Sequence, residues 1–152
     1  MTDPIDTVPT LAGFIAWSRV AMGIPTTAIA DDAPGYAAAY QVAIAVVPTD
    51  YAATEGVIYT LTVYNWAGSQ LIQFQHDIRG QSFFEDARRA FGVNSFVAGV
   101  VNSASDEGTS ESLTIGKGLQ NLSLMDMQRL RDPYGRQALA FMQTFGTLWG
   151  LS

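Results

Sequence analysis

Residues 36–47, YAAAYQVAIAVV, hold one strongly polar side chain, Gln41, and no charge. Asp31 or Asp32 can cap a helix ahead of this run, Pro34 suits its first turn, and Pro48 stops it. The run is shorter than the ~18 residues that a membrane-spanning helix needs. A helix apolar all round is buried all round, so this segment asks for protein on two sides, some of it from another copy of the chain. Composition points the same way. Charged residues make up 14% of the chain, against about 25% in an ordinary soluble domain. With so few charges, either the core of this 152-residue domain is very large or some of its apolar surface faces other subunits, and the second reading is favoured because an uncovered apolar surface marks an interface.

The charge that is present is acidic, with a net of −6. One lysine, Lys117, and seven arginines are scattered along the chain. Gripping phosphates takes a clustered basic stripe, so nucleic acid is not expected to bind specifically. The absence of cysteine excludes disulfides, zinc–thiolate sites and iron–sulfur clusters. The opening MTDPIDTVPT has acids where a secretion signal needs a positive region followed by an apolar one. The expectation is a soluble single domain over residues 1–152, made in the cytoplasm, with no membrane contact and no cofactor.

Thr10 caps a first predicted helix, LAGFIAWSRVAMG, which Gly23 ends. Leu11, Phe14, Ile15, Ser18 and Met22 share one face of it, while Trp17 and Val20 lie off that stripe. Residues 56–76, GVIYTLTVYNWAGSQLIQFQH, satisfy two periods at once. Val57, Tyr59, Leu61 and Val63 alternate as in a strand; Val57, Leu61, Tyr64, Gly68, Leu71 and Ile72 trace a helical face. In SFFEDARRAFGV, Ser82 is the expected cap of a short helix, with Glu85 three residues on and Gly92 at its end. FVAGVV and ESLTI flank the polar stretch NSASDEGTSES, residues 102–112, and read as a two-stranded hairpin turning at SDEG. Ser123 can cap LMDMQRL; a break at DPYG precedes a closing helix, RQALAFMQTFG, and a tail, TLWGLS.

No constellation supports catalysis. DEGTSE lacks the ligand spacing of a calcium loop, and GTSES lacks the second glycine of a nucleophile elbow. His76 is the only histidine and sits beside Asp77, but sequence adjacency does not make a triad. GKGLQN lacks the spacing of a phosphate-binding loop, and the sequon at Asn121 is idle without secretion. Arg129, Arg131, Asp132 and Arg136 form one charged cluster and Glu85, Asp86, Arg88 and Arg89 another, each readable as exposed helical pairs or as bridges to a neighbouring subunit. Trp17, Trp66 and Trp149 belong to the core or to an interface, where tryptophan and arginine are enriched. The tail places Phe145, Leu148, Trp149 and Leu151 among eight uncharged residues. An end this apolar docks on something, either its own domain or a partner.

Taken in order, TLAGFIAWSRVAMGI, IYTLTVYNWAGSQLI, SASDEGTSES and DPYGRQALAFMQTFGTLWGLS, with the Phe-rich helix between them, resemble small virion proteins of tailed bacteriophages. The likeness spans nearly the whole chain. The role it implies is a head-to-tail adaptor: a ring, usually of twelve copies, beneath the portal protein, extending the DNA channel towards the tail or nozzle proteins. It implies a mainly α fold, a small helical bundle with an inserted β-hairpin and an apolar C-terminal arm, and so favours helix for residues 57–72. It places the chain in the virion neck, and in the host cytoplasm during assembly. Asp106, Glu107, Glu111, Trp66, Arg136, Leu148, Trp149 and Leu151 are then the expected interface residues, and DNA passes the acidic ring without being held. Two other readings are a tail-completion or terminator ring, and a small hydrolase using His76 with Ser103 or Ser110.

Overall fold

The computed structural model describes residues 5–49, 56–95 and 124–145. They contain six helices: α1 (Leu11–Ala21), α2 (Pro34–Val46), α3 (Gly56–Phe74), α4 (Phe83–Phe91), α5 (Leu124–Arg129) and α6 (Pro133–Phe145). The segment with two competing periods is helix α3, and it is the axis of the molecule. Twelve of its nineteen residues are buried, and α1, α2, α4 and α6 all pack against it. Its β-branched residues do not prevent this, because burial outweighs their small intrinsic cost in a helix. The helix enclosed on nearly every side is therefore α3, not α2. On α2 only Tyr36, Ala39 and Ala43 are buried, a single stripe at helical spacing, while Ala38, Gln41 and Ala45 are exposed.

The mainly α class holds, but the inserted β-hairpin is not shown. Among the described residues there is no strand, and residues 96–115, where the hairpin was expected, lie outside them, as does the expected C-terminal arm at 147–152. A two-stranded hairpin alone is marginally stable, and the described helices satisfy their own backbones and offer no sheet edge to extend one.

Caps explain where the helices begin and end. Thr10 Oγ1 accepts from Gly13 N at 2.9 Å, and Gly23 follows α1 at φ +68°, a left-handed conformation glycine reaches without strain. Neither Asp31 nor Asp32 caps α2: Ala33 holds that position without a side-chain bond, and Pro34 sits at the helix start. Asp31 instead pairs with Arg19. The Arg19 guanidinium also donates to the carbonyls of Ile24, Pro25 and Ile29, binding the α1–α2 connection together. Arg88 does the same for α3, donating to Ile72 O and Gln75 O at 3.0 and 2.9 Å, carbonyls that a helix end leaves open.

Phe14 centres the contact between α1, α2 and α3. Its ring meets Tyr36 edge-on at 5.7 Å and lies 5.9 Å from Tyr64, while Trp17 lies 6.0 Å from Tyr64. Ser18 Oγ donates to Ile15 O, which leaves Tyr36 the donor in the buried Ser18–Tyr36 pair. Gly68 permits the close approach of α1, since a Cβ there would lie 2.8 Å from Met22 Sδ and 3.2 Å from Trp17.

At α4 the capping group is also unexpected. Ser82 Oγ donates to Asp86, and the Asp77 carboxylate accepts from Phe84 N and Glu85 N, each at 2.9 Å. Asp77→Ala is therefore expected to destabilise the fold by roughly 1 kcal/mol, the usual worth of a helix cap, and Ser82→Ala by less than about 0.5 kcal/mol. Urea denaturation of the two variants checks this; equal losses would return the cap to Ser82.

Candidate functional site

The most unusual chemistry in the described residues lies where α5 and α6 meet α3. Asp132 precedes Pro133 and is fully buried. Its Oδ1 accepts from Gly135 N at 2.9 Å, capping α6, and its backbone carbonyl accepts from Arg136 N. DPYG is thus the start of α6 rather than a break before it: an acidic cap followed by proline in the first turn. Asp132 Oδ2 turns the other way and accepts from Ser69 Oγ at 2.6 Å and Gln73 Nε2 at 2.7 Å, both on α3. Gln73 Nε2 also donates to Gln128 O at 2.6 Å. Gly135 is required here, because a Cβ at this position would overlap the Arg129 carbonyl.

Arg129 lies against the same node and is 1% exposed. Its guanidinium donates to Ser69 Oγ at 3.2 Å and lies over the Trp66 and Phe74 rings at 5.4 and 6.0 Å. Burial pushes its pKa down to about 10, against the upward pull of Asp132 and Asp126. Removing one partner of such a node strands buried charge, at a cost on the order of 3–5 kcal/mol. The node is closed: its hydroxyl, amide and carboxylate are occupied by one another and by backbone. It positions α6 and exposes no nucleophile.

Of the expected interface residues, Trp66 is fully buried beneath Arg129, and Arg136 is exposed, donating to Leu130 O at 2.9 Å. Asp106, Glu107, Glu111, Leu148, Trp149 and Leu151 lie outside the described residues. The charged cluster at 129–136 therefore divides: Arg129 and Asp132 turn inward and Arg136 faces solvent. Both Asp77 oxygens accept from the α4 amides, and His76, exposed, makes no side-chain bond to Asp77. No group of three or more His, Asp or Glu side chains among the described residues could hold a metal, and none of the helices described is long and apolar enough to cross a membrane.

The outward stripes of α1 and α2 carry no charge. Ala12, Ala16 and Val20 form the outward stripe of α1, and Ala38, Gln41 and Ala45 that of α2. Val20 is 80% exposed. Arg19 is the only charged residue in either helix, and it is folded onto the connecting loop. By contrast α4 exposes Glu85, Asp86 and Arg89, paired three and four residues apart. Sequence reading named Val20 as off the core face but did not single out the paired stripes, which require the packing of α1 on α2.

Compared with known proteins, the chain matches no family model, no curated protein and no solved structure.

Burial raises the pKa of four phenols, Tyr36, Tyr40, Tyr59 and Tyr134. Above pH 10 the unfolded chain ionises these groups before the folded chain does, so the folded state binds more protons and stability falls as pH rises. Arg129 acts oppositely, since from about pH 10 up to its ordinary guanidinium pKa the unfolded state holds the extra proton. Four phenols outweigh one guanidinium. Urea midpoints are expected to fall above pH 10, and Tyr59→Phe to make that fall shallower. A midpoint that rises through this window contradicts the assignment.

Proposed function

We propose that this chain is a ring-forming structural protein of a tailed-phage virion, a head-to-tail adaptor that docks beneath the portal and extends the DNA channel. The observation that carries this reading is the charge-free outward surface of α1 and α2. Exposed uncharged stripes on two helices that pack together, apolar but for Gln41, are what a ring subunit hides against its neighbour, and the succession of stretches resembling adaptor proteins supplies the particular ring. The arginines support it from the other side. Arg19, Arg88 and Arg129 are engaged with the chain's own carbonyls, hydroxyls and rings, and a net charge of −6 lets DNA slide past. The ring, usually of twelve copies in proteins of this kind, meets the portal on one side and tail or nozzle proteins on the other. Asp106, Glu107 and Glu111 supply polar contacts in this reading.

Sedimentation of the purified chain, alone and with its portal, tests the proposal. Self-association or portal binding is expected at micromolar concentration, lost on Val20→Glu with Ala45→Glu while the helical circular dichroism is kept. The triple change of Asp106, Glu107 and Glu111 to alanine is expected to weaken assembly and leave thermal stability near native. A monomer indifferent to the portal would sink the adaptor reading.

A further inference from the structure

The connection between α1 and α2 is folded around one side chain. Arg19 Nη1 donates to Ile24 O at 3.1 Å and to Pro25 O at 2.9 Å, while Nη2 donates to Ile29 O at 2.7 Å and pairs with the Asp31 carboxylate. The guanidinium carbon lies 5.3 Å from the centre of the Tyr36 ring, which is fully buried. Three carbonyls, a carboxylate and an aromatic face thus converge on one planar cation. They are what a guanidinium recognises: acceptors at both tips of its fork and a π surface beside it.

The acceptors are also held by the packing of the connection itself. Ile24, Ala28 and Ile29 are buried, Ala28 N donates to Pro25 O at 3.0 Å, and Ala33 N donates to Ala30 O at 3.0 Å. Among the described residues no backbone N–H donates to Ile24 O or Ile29 O, so the guanidinium answers carbonyls that would otherwise be costly to leave open in a buried segment. All of its hydrogen bonds come from the two terminal nitrogens, and Nε has no partner. The tether is therefore no part of the recognition, and a free guanidinium compound can make the same contacts. The Arg19 side chain is 18% exposed, so the site opens to solvent when that side chain is cut back.

We infer that residues 24–31 and the Tyr36 ring form a guanidinium-binding site, which the chain fills with its own Arg19 and which takes a free alkylguanidinium when Arg19 is truncated. An ammonium does not replace it. One strongly hydrated nitrogen cannot meet acceptors spread across both tips of a fork. The site sets how α2 leaves α1, because its acceptors lie in the connection and its ring in the first turn of α2. It lies within one subunit and holds whether or not the chain forms a ring.

Thermal unfolding and helical circular dichroism of the native chain, Arg19→Ala and Arg19→Lys test it, with methylguanidinium or methylammonium added at tens of millimolar, too dilute to denature. Each variant is expected to lower Tm by roughly 5–10 °C. Methylguanidinium is expected to return about half of the Arg19→Ala loss, methylammonium none of it, and neither to raise the Tm of the native chain. Adding Asp31→Asn to Arg19→Ala is expected to weaken the rescue several-fold, a response that a loosened fold alone would not give. Should Arg19→Ala lack helical signal, methylguanidinium is expected to restore it, which reads the same site. A native-like Tm for either Arg19 variant would overturn the inference. So would no recovery with methylguanidinium, equal recovery with methylammonium, or a rescue indifferent to Asp31→Asn.

Discussion

Enclosing α3 is the constraint on which the rest of the structure depends. A buried helix is under pressure to satisfy the polar groups it carries, and on α3 only Thr60 Oγ1 and Trp66 Nε1 are buried side-chain atoms without a partner. Thr62 and Asn65 are satisfied locally, donating back to Ile58 O and Leu61 O. Ser69 and Gln73 are not, and they find one acceptor in common, the Asp132 carboxylate. Because the other oxygen of that carboxylate caps α6, satisfying α3 and starting α6 are one event. Arg129, over Trp66 and against Ser69, closes the arrangement. The direction of α6, and so the place where the C-terminus leaves the bundle, follows from this node.

Charge economy links that interior to the surface. Eight basic residues serve the whole chain, and three of the arginines are tied to loop carbonyls, a helix end and the buried node. Among the described residues, exposed charge lies on α4, at Asp6, Arg79 and Arg136, and at Asp31 and Asp32 in the connection between α1 and α2, leaving α1 and α2 without any on their outward stripes. A chain built in this way has polar faces that stay in water and one apolar face that is better covered.

Features governed by local chemistry were legible in the sequence. Thr10, Gly23 and Gly92 cap or end their helices as read, and the stripe through Phe14, Ser18 and Met22 is buried. Features settled by packing were not. The apolar run at 36–47 suggested all-round burial, yet only one stripe of it is buried, and the enclosed helix is the one that carries Thr60, Thr62, Asn65 and Ser69. Asp77 displaced Ser82 as the α4 cap because the chain folds back after α3, a contact no local motif records. Asp132 and Pro133 carried a helix-start signal that the turn-forming look of DPYG obscured. Arg129 was hidden most completely, since an arginine in a charged cluster reads as surface until the rings of Trp66 and Phe74 are brought over it.

Native-state hydrogen exchange tests the central position of α3 most directly. If the bundle is organised around it, amides at 63–71 should be the slowest in the protein and exchange only through global unfolding. Those of α1 and α4, which open to solvent on one side, should exchange earlier. Amides of α3 that exchange as fast as those of α4 would contradict the arrangement and detach the Asp132 node from the stability of the fold.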